Sequence, residues 1–131
     1  MKLLIVDDEM PSINMLRSAI DFKEYGFDVV DECSDGEQAL PVVKDYDVVI
    51  TDLKMPKMDG LTLIRKAVEE LKVKTKFIIV SAYDDFTFVK TALRYGVKNY
   101  ILKPVDIEEV REELEKLKEE LDADGETPGT L

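Results

Sequence analysis

The chain contains no histidine, no tryptophan and a single cysteine, Cys33. Without an imidazole to take the proton, nucleophilic catalysis by a Ser-His or Cys-His pair is excluded. A Cys/His zinc site and a disulfide within the chain are excluded for want of ligands. The chain cannot donate from a phosphohistidine, although it can receive from one. No apolar run approaches the ~20 residues that a membrane span requires, so no membrane partner is expected. The opening MKLLIV has one lysine and a short apolar run, then acids. No small-residue cleavage site follows, so the expected address is the cytoplasm. Positive charge is also in deficit: 18 Lys and Arg stand against 29 Asp and Glu, a net charge of −11. Nucleic-acid binding rests on neutralising phosphates, so this chain is not expected to bind nucleic acid directly.

What remains is an ordinary globular composition. The 131 residues are 45% hydrophobic and 36% charged, which suits one domain with a sizeable core. Short apolar runs alternate with longer amphipathic segments. Strands are expected at Leu3–Val6, Phe27–Cys33, Asp47–Thr51, Phe77–Ser81 and Asn99–Leu102. The first helix is expected from Pro11 to about Tyr25, closed by Gly26. Ser34 and Asp35 are cap candidates for a second helix, although Pro41 inside it shortens or distorts it. Leu61, Ile64, Val68 and Leu71 stripe the third helix, and Phe86, Val89 and Leu93 are expected to be the buried face of the fourth. Ile107, Val110, Leu114, Leu117 and Leu121 form a stripe that suits either packing on a sheet or a dimeric coiled-coil seam. Strands nearly continuous in Val, Ile and Leu imply a sheet covered on both faces. The expected fold is α/β and doubly wound, with right-handed crossovers.

In such folds the chemistry gathers beyond the carboxyl ends of the strands. Here those ends carry Asp7, Asp8 and Glu9, then Asp52, then Ser81, then Lys103. Carboxylates at ~4 Å repel by roughly 4 kcal/mol per pair at an effective dielectric near 20. Such a cluster wants a divalent cation, and oxygen ligands beside a phosphate suit Mg²⁺. Lys103 offers a compact positive charge for a phosphate oxygen, and Ser81 a hydroxyl donor. An Asp with these neighbours is equipped to accept a phosphoryl group.

Four segments, IVDDE, DVVITDLKMPKMDG, IIVSAY and YGVKNYILKP, resemble the motifs of the response-regulator receiver domain of two-component signalling. They fall in the family's order and spacing over about residues 2–122. The resemblance implies a three-layer flavodoxin-like (βα)5 fold with a central five-stranded parallel sheet. It implies Asp52 as phosphoacceptor and Asp8, Asp52 and the backbone carbonyl of Lys54 as Mg²⁺ ligands, with Asp7 assisting. It implies Ser81 and Tyr100 as switch residues, Lys103 as the phosphate-binding lysine, and a cis peptide bond at Lys103–Pro104. The implied partner is a sensor histidine kinase, with a small acyl phosphate as a substitute donor. The implied output runs through the fourth helix, fifth strand and fifth helix, a surface that also offers a homodimer contact. Lys54 and Tyr83 fall where the family tunes dephosphorylation, and the bulk of Tyr83 would shield the phosphate.

The stretch SAYDDFTFVKTALRYGVKNYILKPVD resembles receivers of AraC-type helix-turn-helix regulators in particular. Transcriptional output would then need a DNA-binding domain absent from this chain. Residues 1–122 are expected to be the receiver, and 123–131 a disordered tail or the start of a linker. Two other classes compete. A haloacid-dehalogenase-like Mg²⁺ phosphohydrolase needs an acid two residues after the nucleophile, where this chain has Lys54. A pseudo-receiver that never takes phosphate would not need the acid cluster.

Overall fold

A computed structural model describes residues 1–126 of the chain. Among them, five strands alternate with five helices. These are β1 (Lys2–Val6), α1 (Met10–Ala19), β2 (Val29–Cys33), α2 (Gly36–Ala39), β3 (Val48–Thr51), α3 (Gly60–Glu69), β4 (Lys76–Ser81), α4 (Phe86–Arg94), β5 (Asn99–Leu102) and α5 (Ile107–Glu126). The strands form one parallel sheet in the order β2-β1-β3-β4-β5. This is the flavodoxin-like (βα)5 arrangement expected from the sequence.

Successive strand residues point to opposite faces, so each apolar run feeds two cores. Leu3, Ile5, Ile50, Ile78 and Ile101 meet α1 and α5 through Ile13, Leu16, Val110, Leu114 and Leu117. Leu4, Val6, Val49, Phe77 and Ile79 meet α2, α3 and α4 through Ala39, Leu63, Ile64, Ala67 and Ala92. The direction in which strands are added reverses at β1: β2 lies on one side and β3 on the other. The switch between β1 and β3 opens a crevice at their carboxyl ends.

Three details depart from the sequence-based expectation, while the second helix is short, as expected from Pro41. The first helix ends at Ala19, not near Tyr25. Asp21 then caps a separate 3-10 turn, Phe22–Tyr25, by accepting from the Lys23 N–H, and Gly26 closes that turn at φ 88. The second helix is a single turn with a 3-10 turn, Val43–Asp45, behind it. Pro41 lies between them, and its ring cannot sit in a continuous helix. The buried face of α4 is rotated from the expected one. Phe86 and Leu93 are 77% and 57% exposed, while Ala92 is fully buried and Phe88 and Tyr95 pack against the core. The sequence FTFVKTALRY carries two apolar stripes at helical spacing, and the small Ala92 lets its stripe approach more closely. Finally, α5 continues through Glu126, past the expected boundary at residue 122. Residues 127–131 of the expected tail lie outside the described residues.

The α5 stripe is used within the domain. Val110, Leu114 and Leu117 are fully buried, and Ile107 and Leu121 pack partly against the same core. The coiled-coil alternative loses its seam through Leu121. Cys33 is half-buried and unpaired by disulfide. No helix among the described residues is long and apolar enough to cross a membrane.

The start of α3 determines how closely the chain folds back over the end of β3. Gly60 N–H donates to the Leu53 carbonyl at 2.8 Å. A Cβ on Gly60 would lie 2.0 Å from the Asp52 carbonyl oxygen. Gly60→Ala is therefore expected to cost about 1–3 kcal/mol through forced backbone shifts, read as a lower urea midpoint. On α4, Phe86→Ala should change stability by less than about 0.5 kcal/mol, whereas Leu114→Ala on α5 should cost about 2–5. Equal losses at the two positions would contradict the observed phase of α4.

Candidate functional site

The parallel ladder carries on one hydrogen bond past the strand ends. Asp52 N–H donates to the Val6 carbonyl, Asp7 N–H to the Cys33 carbonyl and Lys103 N–H to the Ser81 carbonyl, at 2.8–3.0 Å. Val6 pairs with Thr51, so Asp7 and Asp52 follow side by side in register. The Asp7, Asp8 and Asp52 carboxylates each bring an oxygen within 4.8 Å of the others. Asp7 and Asp52 are buried and Asp8 is exposed at the rim. The sequence-expected carboxylates are thus together; the Glu9 carboxylate is not in that group, although Glu9 N–H donates to Asp7 Oδ1 at 2.9 Å.

Each acidic oxygen in this site is held differently. Asp52 Oδ1 accepts from the Leu53 N–H at 2.6 Å, and Oδ2 accepts from Lys103 Nζ at 3.1 Å. Lys103 Nζ also lies 3.5 Å from Asp7 Oδ2 and 3.4 Å from Ser12 Oγ. Lys103 thus hydrogen-bonds Asp52 and Ser12 and pairs with Asp7 as a charge. The Lys103–Pro104 peptide bond is cis, as the family resemblance implies. Burial works against the charge on Lys103, but Asp52 and Asp7 outweigh it and raise its pKa above the ordinary lysine value. Asp7 is shifted upward as well. Its burial is the main cause, opposed by the Glu9 N–H and Lys103 and reinforced by Asp52 and Asp8.

Ser81 and Tyr100 sit on β4 and β5 with Tyr83 between them. Ser81 is fully buried, and its Oγ accepts from the Tyr83 N–H at 3.1 Å. The half-buried Tyr100 donates its hydroxyl to the Tyr83 carbonyl at 2.5 Å. Burial raises the Tyr100 pKa, with a partial offset from the Ser81 hydroxyl. Lys54 is exposed beside the site. Its ammonium lies 5.4 Å from the Tyr83 ring centroid and 4.8 Å from that of Phe88.

Sequence reasoning missed three contributors. Ser12 reaches Lys103 from the first turn of α1, a long-range contact that no local pattern announces. Thr51 Oγ1 donates to the Asp52 carbonyl at 2.9 Å, anchoring the Asp52 backbone. Gly60 was visible only as part of a motif; the close approach over Asp52 is what requires it. A polar residue closing an otherwise apolar strand was the available signal for Thr51.

The comparisons agree with this geometry. Residues 3–115 match the response regulator receiver domain family. YesN of Bacillus subtilis, described as an uncharacterized transcriptional regulatory protein, is 35% identical over 122 residues. That match covers 92% of this chain and 33% of YesN, so the chain spans about a third of that relative's length. The REC domain of AraT, a response regulator from Geobacillus stearothermophilus, is 40% identical with a TM-score of 0.85, covering 95% of this chain and 98% of that one. A chain of the CheX-CheY-beryllofluoride-magnesium complex from Borrelia burgdorferi is 33% identical with a TM-score of 0.77, covering 88% and 87%. With its motifs, its parallel (βα)5 sheet and its acid cluster at the β1/β3 crevice, the chain belongs to the response regulator receiver domain family.

Proposed function

We propose that this chain accepts a phosphoryl group on Asp52 and relays the event to an output surface. The observation that carries the reading is the meeting of Asp7, Asp8 and Asp52 within 4.8 Å, with a single ammonium, Lys103, 3.1 Å from Asp52. One positive charge does not balance three negative ones. An all-oxygen donor set beside a phosphate-binding lysine fits Mg²⁺. Asp8, Asp52 and the Lys54 backbone carbonyl would hold the ion, with Asp7 supporting them. When bound, the ion neutralises charge on the phosphoryl oxygens. The beryllofluoride and magnesium named for the Borrelia complex support both choices.

In the transfer, an Asp52 carboxylate oxygen attacks phosphorus. The bond from phosphorus to the donor's leaving atom breaks, and the donor departs with its electron pair. The donor is the phosphohistidine of a sensor histidine kinase, or a small acyl phosphate. Lys103 then moves its contact from the carboxylate to a phosphate oxygen. The Ser81 hydroxyl, released from the Tyr83 N–H, donates to another. Because the phosphate stays on its own side chain, the chain acts as a signalling switch rather than an enzyme. Tyr100 is tied to Tyr83 and follows its movement. The surface of α4, β5 and α5 changes with it, as a shift between pre-existing states.

The exposed Phe86, Leu93 and Leu102 support a homodimer through that surface. The names and greater length of the transcriptional regulatory relatives support control of transcription through a separate DNA-binding domain.

Intact-mass spectrometry after incubation with acetyl phosphate and Mg²⁺ tests the reading. Wild type should gain one phosphoryl adduct and Asp52→Asn none. An unmodified wild type whose melting temperature also ignores beryllofluoride with Mg²⁺ would exclude the acceptor role. Asp7 adds a pH prediction. Its folded-state pKa is raised, so its favourable contribution is complete below the unfolded value of about 3.8 and is lost as pH rises through the folded value. In metal-free protein, Asp7→Asn should raise the melting temperature at about pH 7, with the gain shrinking towards about pH 4. Calorimetry in EDTA reads this, and a lower melting temperature at neutral pH would contradict it.

A further inference from the structure

Tyr83 makes three connections with three different parts. Its N–H donates to Ser81 Oγ, its carbonyl accepts from the Tyr100 hydroxyl, and its ring faces the Lys54 ammonium. The same ammonium lies closer still to Phe88, in the first turn of α4. Phe88 in turn is half-buried and packs against the core beneath α4, alongside Met55 from the Lys54 loop. A lysine side chain that could extend freely into solvent is instead laid between two aromatic rings. Among the described residues Lys54 forms no salt bridge. The rings account for its placement, because a cation is attracted to the face of an aromatic quadrupole.

We propose that Lys54 is a positioning residue whose side chain, clamped by Tyr83 and Phe88, couples the metal-binding loop to α4. The inference rests on the phosphoacceptor reading above, in which the Lys54 backbone carbonyl is a Mg²⁺ ligand. The clamp holds the stem of Lys54 in place and so limits the backbone conformations available to the loop between β3 and α3. A loop already held in its ligand-presenting form binds its ion at lower entropic cost. The coupling is reciprocal: whatever moves α4 changes the affinity of the loop for the ion, and the ion changes the position of α4. Phe88 thereby reports to a site with which it shares no ligand.

The test measures Mg²⁺ affinity by isothermal titration on the whole chain. Phe88→Leu keeps an apolar side chain of similar reach and removes the ring. It should weaken Mg²⁺ binding about two- to fivefold, the size of one exposed cation–π contact. Lys54→Met, which leaves the backbone carbonyl in place, should weaken it comparably or up to about tenfold, since it removes both ring contacts. The double variant should be no weaker than Lys54→Met alone, because both changes break one clamp. Phe88→Tyr and Lys54→Arg, which preserve ring and cation, should bind nearly as wild type. Wild-type affinity in Phe88→Leu, additive losses in the double variant, or no rescue by Phe88→Tyr would each overturn the proposal. A failure of the acceptor reading looks different. Wild type itself would then bind no Mg²⁺ and gain no phosphoryl adduct from acetyl phosphate, and the clamp would lose its role with it.

Discussion

Three carboxylates held around one ammonium are the arrangement on which this molecule turns. Asp7 and Asp52 are buried, so water screens their mutual repulsion poorly. Lys103 relieves part of it by reaching both, and its ammonium also donates to Ser12. The relief is incomplete, because one ammonium does not balance three carboxylates. A site left with excess negative charge is poorly suited to rest and well suited to a cation followed by a phosphoryl group.

The repulsion is tolerated because the surrounding backbone leaves the acids little freedom. Each acid follows a central strand in a parallel ladder, and the ladder continues one hydrogen bond beyond the last strand residue. Thr51 and Gly60 then fix the backbone of Asp52 from both sides, one by donating to its carbonyl and the other by having no Cβ to push it away. The ordinary apolar core on both faces of the sheet supplies the stability that offsets the cluster.

From the site, order passes outward through Tyr83. Its backbone meets both Ser81 and Tyr100, and its ring meets Lys54. The neighbouring helix, α4, is lightly held: Ala92 is its only fully buried residue, while Phe86 and Leu93 face outward. A helix with two apolar stripes and little burial is suited to shift, because moving it exposes little apolar surface that was previously covered.

Much of this was legible in the sequence because the signals were local. Apolar runs ending in Asp7, Asp52, Ser81 and Lys103 specified both the strands and the chemistry at their ends, since a parallel sheet brings all its carboxyl ends to one edge. The Pro41 interruption of the second helix was equally local. Other features were decided by tertiary structure, because they depend on which of several equivalent local choices packs best. FTFVKTALRY offers two helical faces, and only packing selected the one through Phe88 and Ala92. The α5 stripe suited a partner helix as well as a sheet, and the sheet took it. Ser12 became part of the site through a contact 91 residues away. Periodicity identifies which residues are apolar and how often they recur; the distances between elements distant in sequence decide which of them meet.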